Sequence, residues 1–264
     1  MLGELFDSSL QANIKTIKRQ KENSSMRKSD DKAKVRCSNF AMKKAFKYYD
    51  NYDYDTAIKY CSLAIKINPQ NGMAYNLRGA IYIRNYWFTW SFRDLNKALS
   101  LGFNNDMVYS NLGDAYMFSH QCDKAVNNYS IALELNPENF CAWLNRGYTF
   151  IKMRLYEKAV PDLKIALTLR PKDSTALLNL DDAYLGRGQH HLKAGRYIEA
   201  IEDFSNAMNH YDFVVKAYEG RASAYTNLGM IDLAKADMVK AKFFRDKLEL
   251  NQKKDFPTFH NKNQ

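Results

Sequence analysis

YSNLGDAYMFSHQCDKAVNNYSIALELNP, residues 109–137, and WLNRGYTFIKMRLYEKAVPDLKIALTLRP, residues 143–171, carry one pattern 34 residues apart. An aromatic opens each stretch and a glycine follows (Gly113, Gly147), then two alanines seven residues apart (Ala125 and Ala132, Ala159 and Ala166), then a proline (Pro137, Pro171). The first small residue of the alanine pair extends outward as Ala57, Ser91, Ala125 and Ala159, in steps of 34, and then to Ala200 and Ala241 in steps of 41. Seven residues later stand Ala64, Ala98, Ala132, Ala166, Ala207 and Leu248; twelve earlier stand Ala45, Gly79, Gly113, Gly147, Gly188 and Gly229. Repetition at this period means that one supersecondary unit is stacked on copies of itself.

Residues four and seven apart share a helix face, so small side chains there let two antiparallel helices approach closely while Tyr, Leu and Phe fill the surrounding volume. The spacing places first helices at about 38–50, 72–84, 106–118 and 140–152, and second helices at about 53–67, 88–101, 122–135 and 156–169. Asn68-Pro69, Asn136-Pro137 and Arg170-Pro171 end the units, because proline donates no backbone bond and pushes its predecessor out of the helical region. Pro161 falls inside a helix and predicts a kink or a late first turn. In the last two units the excess of seven residues equals two helical turns, which predicts a longer first helix in each, reaching about 214–235 in the sixth; a loop near 185–195, where Gly186, Gly188 and Gly195 cluster, competes with that reading.

These residues resemble the tetratricopeptide repeat, a 34-residue helix-turn-helix. The resemblance implies an all-α fold, a right-handed α-solenoid of about six units (38–71, 72–105, 106–139, 140–173, 174–213 and 214–250), between a basic N-terminal helix and linker (1–37) and a C-terminal tail (251–264). It also implies a noncatalytic protein-protein interaction scaffold or adaptor. The first helices would line a concave groove for an extended peptide or partner helix, within a larger assembly. Carried over by position, the groove displays Asn76, Arg84, Asn111, Asp114, Phe118, Asn145, Tyr148, Lys152, Asn179 and Asn227. A row of asparagines can bracket a peptide backbone, since each amide both donates and accepts; bonding to the adjacent helix is the other reading. Met42, Phe46, Leu77, Met107 and Asn111 stand where proteins resembling this family grip a carboxylate tail with lysines, arginine and asparagines, which argues against that mode of chaperone-tail binding.

Trp87, Phe88 and Trp90 form an aromatic turn whose rings cannot all face one core, so it offers an exposed contact. At the amino terminus Leu2, Leu5, Phe6, Leu10, Ile14 and Ile17 fall at helical spacing, suiting a cap on the first repeat or a docking helix. The charge of +10 concentrates at the ends. Lys15, Lys18, Arg19, Arg27 and Lys28 supply a basic contact, and phosphate binding to RNA or a ribonucleoprotein is the alternative function they raise.

With 46% hydrophobic residues the chain is too apolar to be mostly disordered, yet no run approaches the roughly 20 apolar residues of a membrane span. The start carries no secretory pattern, and Cys37, Cys61, Cys122 and Cys141 show no paired spacing, so a reducing cytoplasmic setting with free thiols is expected, with the nucleus as a second location. No cofactor or metal is called for: phosphate loops and zinc motifs are missing, and His190-His191 with Asp181 and Asp182 reads as a solvated bend.

Overall fold

The computed structural model describes residues 30–208 and 211–255. Among them are twelve helices and no strand. Helix α1 covers 30–50; α2 (Tyr54–Ile67), α3 (Gly72–Arg84), α4 (Phe88–Ser100), α5 (Asp106–Phe118), α6 (Cys122–Leu135), α7 (Phe140–Lys152) and α8 (Tyr156–Leu169) follow the expected 34-residue rhythm. The remaining helices are α9 (Ser174–Lys193), α10 (Tyr197–Asn206), α11 (Tyr211–Asn227) and α12 (Ile231–Asp255). The chain divides into two compact units, residues 1–111 and 112–264.

Local chemistry sets the helix boundaries. Asn71, Asn139 and Asp173 cap α3, α7 and α9, each side chain accepting from the backbone N–H three residues on, and Asn105 does the same for Val108. Cys37 occupies the corresponding place in the first unit and cannot cap, and there the helix runs back to residue 30.

The turn inside each hairpin is a Schellman motif repeated six times. Tyr52, Tyr86, His120, Arg154, Gly195 and Gly229 all have φ between 59° and 78°. Each donates to the carbonyl three residues back, and the next residue reaches five back, as in Tyr86 to Ile83 and Trp87 to Tyr82. These left-handed residues recur at steps of 34, 34, 34, 41 and 34, which locates the insertion.

The seven extra residues lie in one helix only. Helix α9 has 20 residues where α3, α5 and α7 have 13. It runs unbroken through 185–193, so the glycines there make no loop. The sixth unit is an ordinary 34-residue repeat: its first helix ends at Asn227 rather than near 235, and its small positions are Ala222, Ala234 and Ala241 in place of Gly229, Ala241 and Leu248. A shift of seven residues preserves the helix face, so Ala234 and Ala241 can be mistaken for one another when only small residues are counted. Pro161 sits inside α8, which keeps the 14 residues of α2 and α6.

In the first unit Ala45, Ala57 and Ala64 are fully buried with Cys61, Ala74 and Ile81, and Tyr48, Tyr54 and Tyr60 close the edges. In the second, Phe150, Ala159, Leu163, Tyr184, Ala200, Phe204 and Ala217 form one core. The successive hairpin partners α6 to α12 pack in order, and first helices also pack on one another, α7 on α9 and α9 on α11. The glycines mark the tightest crossings: a Cβ at Gly79 would come within 2.9 Å of the Leu95 side chain, and one at Gly147 within 2.8 Å of Leu163.

Candidate functional site

The first-helix face was the expected site, and its residues divide by the work they do. In the compact unit 1–111 Asn111 Nδ2 donates to Asn76 Oδ1 at 2.9 Å, and Asn76 is buried, so these two amides satisfy each other. Arg84 is exposed at the end of α3.

In the compact unit 112–264 Asp114 is an internal acceptor. Its Oδ1 receives the Tyr129 hydroxyl at 2.6 Å and the Asn145 amide at 2.8 Å. Tyr129 is fully buried, and burial first, with the Asp114 carboxylate second, pushes its hydroxyl well above the ordinary tyrosine range. Asn227 closes α11 and donates to the Ser223 carbonyl of its own helix at 2.8 Å. Gly220, not Asn227, takes the place of Asn145 in that unit, since Gly220 precedes Arg221 as Asn145 precedes Arg146. Asn227 is therefore out of register with Asn111 and Asn145, and those two bond to neighbouring helices. Asn179, half-buried on α9, keeps its position counted from the helix cap.

What remains available on this face is Phe118, 40% exposed, with Tyr148 and Lys152 of α7. Lys152 Nζ lies 5.0 Å from the centre of the Tyr148 ring. A hydrogen bond with the Tyr148 hydroxyl raises the ammonium pKa. Asp182 on α9 is influenced by Lys152 and by Lys216 of α11: burial raises its carboxyl pKa and the two ammonium groups pull it back down. Asp182 and Lys216 were outside the expected groove set, and their signal was hidden by the insertion in α9.

The aromatic turn, in the second repeat and within the compact unit 1–111, is displayed at the surface. Trp87 and Trp90 are each half exposed and Tyr86 is 71% exposed. Trp87 also packs its ring 5.7 Å from Tyr82, the hydrophobic contact that accompanies a Schellman turn, and Arg93 lies 4.8 Å above the Trp90 ring. Phe88 meets Tyr86 edge to face and is half-buried. Lys15, Lys18, Arg19, Arg27 and Lys28 lie outside the described residues.

Sequence reasoning missed a second repeated device. Arg78 pairs with Asp94, Arg146 with Asp162, Arg187 with Asp203 and Arg221 with Asp237, always 16 residues apart and always through two guanidinium nitrogens. Ser62, Ser130 and Ser205 accept a further bond from Arg78, Arg146 and Arg221. Rings three before and four after flank Arg78, Arg146 and Arg221, as Trp143 and Phe150 flank Arg146 at 4.9 and 6.0 Å, and Arg187 has Tyr184 on one side. Tyr75, Tyr82, Trp143, Phe150, Tyr184, Tyr218 and Tyr225 are the rings so placed. The third unit has Leu112 and Asn128 at the two positions, and the first has Lys44 and Tyr60, so arginine and aspartate are lost together. That joint recurrence was the signal. Of the residues read as a solvated bend, His191 instead lies 3.3 Å from Asp203, His190 packs on Tyr156, and Asp181 is buried. Among the described residues no group of His, Cys, Asp and Glu could hold a metal ion.

Residues 110–174 match the model of the tetratricopeptide repeat family. Over these residues the chain is similar to tetratricopeptide repeat proteins. Solved structures share the fold. PilF of Pseudomonas aeruginosa matches at a TM-score of 0.59 with 15% identity over 86% of this chain and 95% of that one. PilW, a type IV pilus biogenesis factor, matches at 0.53 with 20% identity over 77% and 91%. A tetratricopeptide repeat protein from Parabacteroides merdae matches at 0.51 with 24% identity over 85% and 94%. No curated protein matches the sequence. The tetratricopeptide fold class, an all-α solenoid of stacked hairpins, is the one the repeats implied.

Proposed function

We propose that this protein is a noncatalytic interaction scaffold that holds an extended peptide or a partner helix on its first-helix face, as part of a larger assembly. The observation that carries the reading is on α7, α9 and α11. Half-buried Tyr148 and exposed Lys152 lie together beside Asp182 and Lys216, while Tyr129 and the carboxylates of the ion pairs are buried. A ring, two ammonium groups and a carboxylate on packed, rigid helices suit a polypeptide with alternating apolar and charged side chains. Asn145 acts beneath this surface, fixing α7 against α5 through Asp114.

Trp87, Trp90 and Arg93 add a second contact on the compact unit 1–111, where large half-exposed rings supply binding area at low entropic cost.

A photoreactive phenylalanine analogue placed at Tyr148, compared with one at the exposed Glu134 of α6, tests the reading in the full chain. Crosslinks to polypeptide from position 148 and none from 134 are expected. Equal crosslinking from both positions, or none from 148, contradicts it.

A further inference from the structure

Ala74, Val108, Ala142, Ala176 and Ala217 occupy one repeated position on the first helices, and each is fully buried. Ala74 clusters with Ala64 of α2, and Ala176 with Ala166 of α8, so the second helix of the preceding hairpin covers this face. In α1 the position is Phe40, and it is 64% exposed. Beside it runs a hollow of about 350 Å³ walled by Arg36 and Cys37 of α1 and by Tyr60, Leu63 and Ile67 of α2. The walls are fixed to one another. Ser38 Oγ donates to the Ala64 carbonyl at 3.0 Å and accepts from the Asn71 amide at 2.9 Å, which ties α1 to the end of α2 and to the cap of α3.

Along the middle of this face charge has one sign. Arg36 borders the hollow, and Lys44 Nζ lies 5.8 Å from the centre of the Phe40 ring. Lys59 and Lys66, both exposed, stand four before and three after Leu63, on its side of α2. The carboxylates of the two helices, Asp30, Asp31, Asp50 and Asp55, all fall at or next to a helix end. We infer that this face docks an amphipathic helix of a partner protein, acidic along both flanks of its apolar stripe. The fold supplies the geometry, since a helix fills the corresponding place on α3 and on α9. Phe40 in place of alanine holds the incoming helix further off, so the partner sets a small residue against the ring and a large apolar one into the hollow. Carboxylates on its flanks then meet Arg36 and Lys44 on one side and Lys59 and Lys66 on the other. A second copy of this hairpin brings the same four cations and is repelled. The surface belongs to the compact unit 1–111 and is independent of the one proposed at Tyr148 and Lys152.

The probe is a fluorescein-labelled synthetic helix of about five turns, with a leucine and alanine stripe and glutamates on both flanks. Its binding to the full chain is read by fluorescence anisotropy at about physiological salt. It is expected to bind at least about tenfold tighter than a peptide of the same stripe with lysine flanks, and than its own residues in scrambled order. Arg36→Glu with Lys66→Glu, both at exposed positions, reverses the charge preference while helical circular dichroism is unchanged. Cys37 locates the contact: saturating probe slows its labelling by N-ethylmaleimide at least about tenfold and leaves exposed Cys141 of α7 unaffected. Tyr148→Ala with Lys152→Ala binds the probe as the unaltered chain does; loss of binding there assigns the probe to the other surface and overturns the inference. Equal affinity for the three peptides overturns it, as does binding that leaves Cys37 open. Slow labelling of Cys37 before any peptide is added means that the hollow is already occupied and overturns it too. Protection of Cys37 by vesicles of phosphatidylcholine and phosphatidylserine, with none by the probe, assigns the face to a membrane and overturns it equally.

Discussion

At the scale of single residues, the third unit already states how an Arg–Asp pair can be replaced. Removing one partner strands a charge that is mostly out of water, whereas removing both leaves a packing problem that Leu112 and Asn128 have solved. Asp162→Asn alone should destabilise the protein by about 3 kcal/mol, and Arg146→Leu with Asp162→Asn together by about 1 kcal/mol, read from urea unfolding. Equal losses in the single and double variants would mean that the pair acts only through its volume.

Asp182 provides a pH test on the proposed contact surface. Its folded carboxyl holds a proton to higher pH than the unfolded chain does, because burial outweighs Lys152 and Lys216. The folded state therefore binds more protons, and the stability linked to this group is greatest below the ordinary carboxylate range and is lost as pH rises through the folded value. Asp182→Asn removes that loss. The stability of the variant relative to the unaltered protein should rise between about pH 4 and pH 7. A difference that stays constant over that range would show that Asp182 titrates as it does in the unfolded chain.

Elements were legible in the sequence where one signal had one meaning. Helices α3 and α5 to α8 begin and end at the expected residues, because caps, prolines and small positions agree there. The fifth and sixth units were misphased because the small residues repeat at seven within a helix, the same length as the insertion in α9. The Schellman turns would have resolved the phase, but only Gly195 and Gly229 announce the left-handed position; Tyr52, Tyr86, His120 and Arg154 hide it. A Cβ at Gly229 would meet nothing within 4 Å, so Gly229→Ala measures the backbone term alone and should cost about 1 kcal/mol. Gly186→Ala reports a different force. It drives a methyl to within 2.4 Å of the Tyr156 ring, with an expected cost of about 1–3 kcal/mol and a disturbed Tyr156–His190 contact. Thermal unfolding of the two variants checks both values.

The candidate site was legible in its exposed members and illegible in its internal ones. Phe118, Tyr148, Lys152, Trp87 and Trp90 present surface as their repeat positions implied. Asn76, Asn111, Asp114 and Asn145 carry the same polar character, but whether an amide turns toward a ligand or a neighbouring helix depends on the residue opposite, and Tyr129 decided it for Asp114.

For the whole molecule, function belongs to surfaces built on repeats, since the fold is shared with proteins at 15 to 24% identity. Substitutions at Tyr148 and Lys152 are expected to separate binding from folding, because Lys152 is exposed and Tyr148 only half-buried. Asn145 does not separate them, as its loss also frees Asp114. The most direct measurement is affinity purification of the full chain from its own cells at about physiological salt, with and without nuclease, beside Tyr148→Ala with Lys152→Ala. The account predicts a set of protein partners that survives nuclease and is lost from the double variant while its helical circular dichroism is unchanged. Partners that disappear with nuclease, or that bind the double variant as well as the unaltered protein, would contradict it.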